Sequence, residues 1–375
     1  MSIPVPVFRP QLPDAARLLP YLRRIDDSRT YTNWGPLVTE LEQRLASHFG
    51  LAEHRVVSAS SGTAALVGAI LATAGRASLG RPLAIVPAFT FVATAIAVEQ
   101  CGYRPYIVDV DPDTWALDPE ELCGHPRLDQ VGIVVVAAPF GRPIPQESCR
   151  TFRRRTGIPI VIDGGASFEA LCNDPSQHIG DVPVALSFHA TKSFSTGEGG
   201  SVVSTDRAVS TLVAQALNFG FHETRNSSMA STNGKMSEYH AAVGLAELDG
   251  WREKRHALHE VADRYRTRLA AAGVLDRFRG APEVAGCYAL FEAEHALQSH
   301  RLQDHLQRAG VEFRLWYGGG LNRQRYFEDV AQDTLDVTGE LSPRVVGLPT
   351  APDLEERVID QVVSVIVTAI HHTGL

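Results

Sequence analysis

Apolar runs alternate with helical repeats along the first two thirds of the chain. Leu37, Leu41 and Leu45 recur at helical spacing, and runs of small apolar residues predict further helices at 64–74 and 92–98. Short apolar or β-branched runs predict strands at 55–58, 83–87, 104–109, 132–138, 158–163, 185–188 and 200–204. Strands that are apolar throughout and alternate with helices are typical of a mostly parallel sheet covered on both faces. The pattern therefore predicts an α/β fold.

The pattern weakens in the last third of the chain. A long helical region runs from Ser237 past Trp251, and an amphipathic helix follows near the C-terminus. Between them we predict strands at 288–291 and 311–315 and a helix that ends at Gly310. With 375 residues the chain is long for a single core, so two domains are expected. The predicted division is an N-terminal arm at 1–30, a large α/β domain at 31–250 and a smaller α+β domain at 251–375.

Composition and charge exclude several classes of partner. The 35 Lys and Arg residues against 43 Asp and Glu residues give a net charge of -8, which argues against nucleic acid and anionic membranes. The five cysteines include no Cys-x-x-Cys pair, as is typical of reduced thiols in a cytoplasm. The N-terminus shows no signal-peptide pattern, and no apolar run approaches the ~20 residues that span a bilayer. We expect a soluble cytoplasmic protein without a metal ion, and we interpret His256/His259 and His371/His372 as solvated.

One lysine stands in an unusual segment. Lys192 lies among small and hydroxyl residues, directly after an apolar strand and before a glycine-rich turn. A lysine amine in a desolvated pocket is partly neutral and is able to form a Schiff base. A second segment, 60–63, joins a strand to a helix through Ser and Gly residues, and such a turn presents backbone N–H groups to a phosphate. The alternative for this turn is that Ser60 or Ser61 only caps the helix.

Together these segments suit pyridoxal phosphate (PLP). That cofactor needs a lysine for its aldehyde, an acid for its pyridine nitrogen, a phosphate-binding turn and a flat group against the ring. Asp163, at the carboxyl end of its predicted strand, would remain ionised beside a protonated pyridine nitrogen. Lys192 would form the Schiff base and, once displaced, carry the proton between substrate and cofactor. Phe91 would stack on the ring, and the phosphate would be bound by Ser61, Gly62, Thr63 and Ser187.

At these residues the chain resembles the DegT/StrS family of PLP-dependent sugar aminotransferases. The resembling segments are 32–36, 61–66, 87–95, residue 163, 187–200, 218–221 and 233–238. The resemblance implies the type I aspartate-aminotransferase fold, with a seven-stranded sheet in the large domain. It also implies that Lys192 is the Schiff-base lysine, Asp163 the pyridine partner and Phe91 the stacking aromatic. Asn233 would reach the phosphate of a neighbouring subunit, which implies a homodimer with shared active sites.

The residues at 218–221 and 232–238 are similar to those of enzymes that aminate C4 of a dTDP-4-keto-6-deoxyhexose. The resemblance implies L-glutamate as the donor, pyridoxamine phosphate as the intermediate, and a 4-amino-4,6-dideoxy sugar nucleotide, as in O-antigen synthesis, as the product. Ala166 replaces the Gln or His that the family usually has, and 316–322 lacks the Pro and His of many relatives. A 3-keto sugar nucleotide or a cyclic polyol ketone is therefore an alternative acceptor. A non-catalytic PLP-binding sensor is the alternative from another class.

The substrate-binding candidates are Trp34, Gly35, His189, Lys235, Tyr317 and Asn322. For the Trp34-Gly35 turn and for His189 the sequence leaves a second interpretation open. The Trp34-Gly35 turn is also typical of the start of a helix, and His189 is equally compatible with a packed core position. Gly318-Gly319-Gly320 is compatible with a nucleotide phosphate or with a simple turn.

Overall fold

The structure is a computed structural model that describes residues 5–371. Within that range its helices are α1 (Ala15–Ser28), α2 (Pro36–His48), α3 (Gly62–Thr73), α4 (Ala93–Gln100), α5 (Gln146–Thr156), α6 (Phe168–Asn173), α7 (Pro175–His178), α8 (Arg207–Ala216), α9 (Glu238–Asp249), α10 (Trp251–Ala271), α11 (Ala296–Arg308), α12 (Asp336–Leu341) and α13 (Glu356–His371). Its strands are β1 (Val56–Ala59), β2 (Leu83–Pro87), β3 (Arg104–Val108), β4 (Val131–Ala137), β5 (Ile160–Asp163), β6 (Val184–Ser187), β7 (Gly200–Val203), β8 (Phe278–Gly280), β9 (Ala289–Glu292) and β10 (Val345–Gly347).

Seven strands form one sheet in the order β1-β7-β6-β5-β4-β2-β3. β7 is antiparallel to β1 and β6, and the other pairs are parallel. The prediction of a mostly parallel seven-stranded sheet is therefore confirmed. The parallel strands bring the carboxyl ends of β1, β2, β4, β5 and β6 to one edge, where α/β sheets bind ligands.

Helices cover both faces of this sheet. On one face lies α3, whose residues from Ala65 to Leu71 are all buried, packed against α4 and α8. A short helix that is apolar all round is stable only when it is enclosed in this way. On the other face α2, α5 and α9 share a core with Trp251. The sheet is thus buried on both sides, as the uninterrupted apolar strands predicted.

The C-terminal part forms its own core around a second sheet. This antiparallel sheet has the order β10-β9-β8 and packs with α10, α11 and α13. Gly250 separates α9 from α10, so the long predicted helical region is two helices. The first described residue, Val5, pairs with Val311 at the edge of this part. The division into an arm and two domains stays a prediction.

Some elements differ from the sequence prediction. The strand predicted at 311–315 is wrong, because this segment makes only isolated bridges at Val311 and Arg314. The predicted arm contains the helix α1, which carries Pro20 and buries only Ile25, so its periodicity is weak. β8 and β10 were missed because three residues are too few for a periodic pattern.

No helix within residues 5–371 is long and apolar enough to cross a membrane. In the same range, no group of three or more His, Cys, Asp and Glu side chains is placed to hold a metal ion. The side chain of His371 and all of His372 lie outside the described residues.

Candidate active site

A cavity of about 430 Å³ opens at the carboxyl edge of the large sheet. It brings together nine of the predicted site residues: Ser61, Gly62, Thr63, Phe91, Asp163, Ser187, His189, Lys192 and Tyr317. Tyr288, Arg314 and Trp316, from the C-terminal part of the chain, complete its wall. The cavity therefore lies between the large sheet and the C-terminal part of the chain.

The turn between β1 and α3 forms one end of the cavity. Ser61 caps α3, because its Oγ accepts a hydrogen bond from the Ala64 N–H at 3.1 Å. Gly62 lies so close to β6 that a Cβ on it would be 2.6 Å from the Cβ of Ser187. The capping interpretation of this turn is therefore confirmed, and the capping serine also lines the cavity, whereas phosphate binding at the turn stays a prediction. The N–H groups of Gly62 and Thr63 belong to the first turn of α3, where the helix has no carbonyl for them.

Asp163 lies at the end of β5 within a chain of hydroxyl groups. Its Oδ2 accepts from the Thr94 Oγ1 at 2.7 Å, and Thr94 is 2.8 Å from the Thr90 Oγ1. Its Oδ1 accepts from the Gly165 N–H at 3.1 Å. Burial raises the pKa of Asp163, while these hydrogen bonds and the charge of Lys192 act in the opposite direction. A cation beside the carboxylate would also act to lower the pKa of Asp163.

Thr94 is a functional candidate that the sequence interpretation missed. It is fully buried on α4, four residues after Thr90 in the turn that precedes this helix. Two hydroxyl residues four positions apart at the start of a mostly apolar helix were the available signal.

Lys192 follows β6, and its amine contacts Tyr288 in the C-terminal part of the chain. Its Nζ donates a hydrogen bond to the Tyr288 Oη at 3.0 Å and lies 5.7 Å from the centre of that ring. Burial raises the pKa of Tyr288 well above its usual value, so the phenol remains neutral. Sequence analysis placed Tyr288 only in a strand, and no local pattern connects it with a lysine 96 residues away.

A buried carboxylate holds the segment that carries Tyr288. Glu169, on α6, accepts from the Gly286 N–H at 2.8 Å and lies 3.0 Å from the Nε2 of His259. The prediction that His259 is solvated is therefore wrong, whereas His256 has a 76% exposed side chain. The His259 ring lies against Glu169 because a buried carboxylate needs a hydrogen-bond donor.

An aromatic cluster forms another part of the cavity wall. The Tyr317 Oη accepts from the Phe140 N–H at 3.0 Å, and the two rings stack at 4.6 Å. Burial raises the pKa of Tyr317. Trp316 meets Tyr288 edge to face at 5.3 Å. Ala166 adds an apolar surface where the family usually has Gln or His.

His189 lies at the mouth of the cavity rather than in the core. It is exposed, with Nδ1 2.8 Å from the Thr191 Oγ1 and Nε2 3.7 Å from the Glu198 Oε1. The core interpretation of His189 is therefore wrong, and the imidazole is accessible to a ligand.

Five predicted site residues lie outside the cavity of this chain. Asn233 is exposed, and its Oδ1 accepts from the Lys235 Nζ at 2.7 Å. Trp34 donates from its Nε1 to Glu42 at 3.0 Å, and the buried Gly35 starts α2, as expected for a helix start. Asn322 has a buried Oδ1 without a partner among the described residues. The remaining member of the set is Lys235, whose Nζ lies 4.3 Å from the ring centre of Phe219.

The donor set fits a phosphorylated aromatic aldehyde. Gly62 lets the start of α3 lie against Ser187, where a Cβ would collide, and the first-turn amides there favour an anion. The partly buried Asp163 favours a cationic ring nitrogen, and Lys192 supplies an amine to the same cavity. Phe91, 58% exposed, leaves its face open to a ring.

Residues 14–367 match the DegT/DnrJ/EryC1/StrS aminotransferase family. The chain belongs to this family and is an aminotransferase whose cofactor is PLP.

Three known proteins illustrate the similarity. The chain is 33% identical to "Protein Mb3436c" of Mycobacterium bovis over 95% of this chain and 88% of the relative. It is 30% identical to the dTDP-4-amino-4,6-dideoxy-D-glucose transaminase of Shigella dysenteriae over 66% of each chain. The crystal structure of DesI in the presence of its TDP-sugar product superposes with a TM-score of 0.85 at 28% identity, covering 99% of this chain and 94% of DesI.

Proposed function

We propose that this aminotransferase moves the amino group of L-glutamate to a keto sugar nucleotide. The proposed acceptor is dTDP-4-keto-6-deoxyglucose, aminated at C4 to a 4-amino-4,6-dideoxy sugar nucleotide. The observation that carries the proposal is one cavity lined by Lys192, Asp163 and the turn at 61–63. The dTDP-sugar and TDP-sugar names of two similar proteins support the acceptor class.

Each cavity residue has a proposed role toward the cofactor. Bound PLP supplies an electron sink for the carbon that carries the amino group. Lys192 would hold the cofactor covalently through its Nζ and, once released, would move the proton to and from that carbon. Asp163 holds a positive charge at the ring nitrogen, and Phe91 packs on the ring face. The turn at 61–63, together with Ser187, binds the phosphate.

Tyr288 is proposed to orient the catalytic amine. Its neutral hydroxyl is 3.0 Å from the Nζ of Lys192, so it fixes the direction in which the amine approaches the substrate carbon. It also takes the place of water on that nitrogen, because the phenol is buried on the small-domain side.

We propose a homodimer in which Asn233 reaches the phosphate site of the partner. The exposure of Asn233, outside the cavity of its own chain, supports this arrangement. Lys235, Trp34 and Gly35 remain proposed substrate contacts across the same interface. His189 and Tyr317 are proposed to contact the sugar from within the cavity, and Asn322 stays a prediction.

A 3-keto sugar nucleotide or a cyclic polyol ketone is the second acceptor class. Ala166 favours it, because a methyl group replaces a hydrogen-bonding side chain at the cavity wall and so changes which substrate hydroxyl is satisfied there. The alternative of another class is a sensor that binds PLP without turnover.

The test follows the absorbance of bound PLP through both half-reactions. L-glutamate is added to the loaded protein, the 2-oxoglutarate is removed, and dTDP-4-keto-6-deoxyglucose is then added. We expect glutamate to abolish the absorbance of the lysine-bound cofactor and the keto sugar to restore it. Lys192→Ala is the control, because it should bind PLP noncovalently and show neither change.

The outcomes separate the alternatives. If glutamate acts and this keto sugar does not restore the absorbance, the C4 acceptor is wrong and the 3-keto and cyclic ketones are tested in its place. If no amino donor changes the absorbance, the transamination proposal fails and the sensor is favoured.

A further inference from the structure

One cation on the cavity wall has no role in the proposed chemistry. Arg314 lines the cavity and is exposed, and within residues 5–371 its guanidinium has no carboxylate or side-chain hydrogen-bond partner. The other cations of the cavity are engaged, because Lys192 donates to Tyr288 and His189 lies beside Glu198. Arginine binds carboxylates in a planar two-point geometry, so a free guanidinium facing a cavity favours an anionic ligand.

The position of Arg314 is built by its surroundings. Its backbone exchanges two hydrogen bonds with Gly347, at 3.1 and 2.8 Å. A Cβ on Gly347 would collide with the Nε1 of Trp316, so only glycine lets the indole lie against this bridge. The Cζ of Arg314 lies 5.1 Å from the centre of the Trp316 ring, which holds the guanidinium by a cation–π contact.

Two aromatic rings separate this guanidinium from the reacting amine. Trp316 meets Tyr288 at 5.3 Å between ring centres, and the Tyr288 hydroxyl is 3.0 Å from the Nζ of Lys192. In an amino acid the α-carboxylate is roughly 3 Å from the amino nitrogen, whereas the side-chain carboxylate of extended glutamate is roughly 6 Å away. The contacts from the guanidinium through Trp316 and Tyr288 to the amine form a chain longer than the distance to the α-carboxylate, so Arg314 suits the more distant carboxylate.

We propose that Arg314 binds the side-chain carboxylate of the amino donor and makes the enzyme selective for an acidic amino acid. This inference rests on the proposed function, since it concerns the donor half-reaction in the same cavity. It makes Arg314 a specificity-determining residue, because a neutral donor of equal size leaves the guanidinium without a carboxylate partner.

The test compares L-glutamate with L-glutamine, which has the same shape and a neutral side chain. Single-turnover absorbance changes are recorded with PLP-loaded wild type, Arg314→Lys and Arg314→Met. We expect Arg314→Met to raise the half-saturating glutamate concentration about tenfold to a hundredfold, the usual loss for a carboxylate–arginine pair, with little change for glutamine. Arg314→Lys should recover part of the loss, because it keeps the charge without the planar geometry.

A binding measurement gives a readout without turnover. Calorimetric titration with glutarate, an unreactive dicarboxylate, should detect binding to wild type and a similar loss in Arg314→Met. Arg308→Met is the matched control, because Arg308 is exposed at the end of α11 outside the cavity and the change in charge is the same. This variant should behave as wild type in both assays.

Three results would overturn the inference. Equal losses for glutamate and glutamine would place Arg314 at the α-carboxylate. A loss confined to the keto-sugar half-reaction would place it at an anionic group of the acceptor, and no loss at all would remove any role in binding. All three are distinct from failure of the proposed function, in which wild type itself does not react with amino donors.

Discussion

A partly buried carboxyl group on the helix α2 gives a quantitative test of this structure. Glu42 is partly buried, and its Oε1 accepts three hydrogen bonds: from the Ser58 N–H at 2.7 Å, the Ser58 Oγ at 2.6 Å and the Trp34 Nε1 at 3.0 Å. Burial nevertheless dominates and raises the pKa of Glu42 from 4.5 to about 7. Glu42→Gln removes the titration but keeps an oxygen for the same three donors.

The sign of the effect follows from proton linkage. The folded state binds this proton more tightly than the unfolded chain, so protonation of Glu42 contributes stability below about pH 4.5 that is lost as the pH rises through about 7. A tenfold difference in proton affinity is worth about 1.4 kcal/mol, so the whole change amounts to about 3 kcal/mol. We therefore expect the free energy of unfolding of Glu42→Gln, relative to wild type, to rise by about 3 kcal/mol from pH 4.5 to pH 8.

The measurement is urea unfolding of cofactor-free wild type and Glu42→Gln at several pH values. Taking the difference between the two proteins cancels all other titrating groups. Glu53→Gln, an exposed change on the loop before β1 that removes one carboxyl group in the same way, is the control. A pH-independent difference for Glu42→Gln would show that this carboxyl group has the same pKa in the folded and unfolded states, and the burial argument would be wrong.

Three further changes test the construction of the cavity. Gly62→Ala should cost about 1–3 kcal/mol of stability and weaken PLP binding, because its Cβ would overlap Ser187; urea unfolding and cofactor titration measure the two effects. Tyr288→Phe removes the hydroxyl bonded to Lys192, worth about 1 kcal/mol, and should slow the glutamate half-reaction about fivefold in single-turnover absorbance. Glu169→Gln should lose about 1–3 kcal/mol of unfolding free energy, because the buried charge-assisted contact to His259 is weakened.

Each of these changes has its own control or contrary result. Gly339→Ala, where a Cβ would meet nothing within 4 Å, should leave PLP binding unchanged. A Tyr288→Phe enzyme with the wild-type rate would mean that the hydroxyl does not orient the amine. If Glu169→Gln and His259→Ala lose stability additively in the double variant, the two side chains do not interact.

The large sheet was predictable because its strands are buried on both faces. Such strands are apolar at every position, so β2 was predicted with its bounds unchanged and β4 and β5 to within two residues. Segments that bury few residues were predicted less well. α1 carries Pro20 and buries one residue, and the segment at 311–315 lies extended without forming a strand, so local pattern and observed structure disagree there.

The residues of the site that lie near strand ends were also predictable from the sequence. Asp163 ends β5, and Ser61 and Lys192 lie in the segments that follow β1 and β6. Because the strand ends of a parallel sheet meet at one edge, their convergence in the cavity follows from the order of elements. The DegT/DnrJ/EryC1/StrS family and its PLP chemistry follow from the same contiguous motifs.

Only the tertiary structure decided which side chains from the C-terminal part of the chain face those residues. Tyr288 accepts a hydrogen bond from a lysine 96 residues away in the sequence, and Glu169 accepts one from a backbone N–H 117 residues away. Arg314 takes its position from Trp316 and from a backbone bridge to Gly347, in a segment whose pattern predicted an ordinary strand. Local patterns report which face of an element is buried, whereas pairs so distant in sequence are fixed by how the two cores pack together. The sequence by itself therefore determined the sheet and the cofactor chemistry, and the packing of the small domain decided which side chains surround the amine.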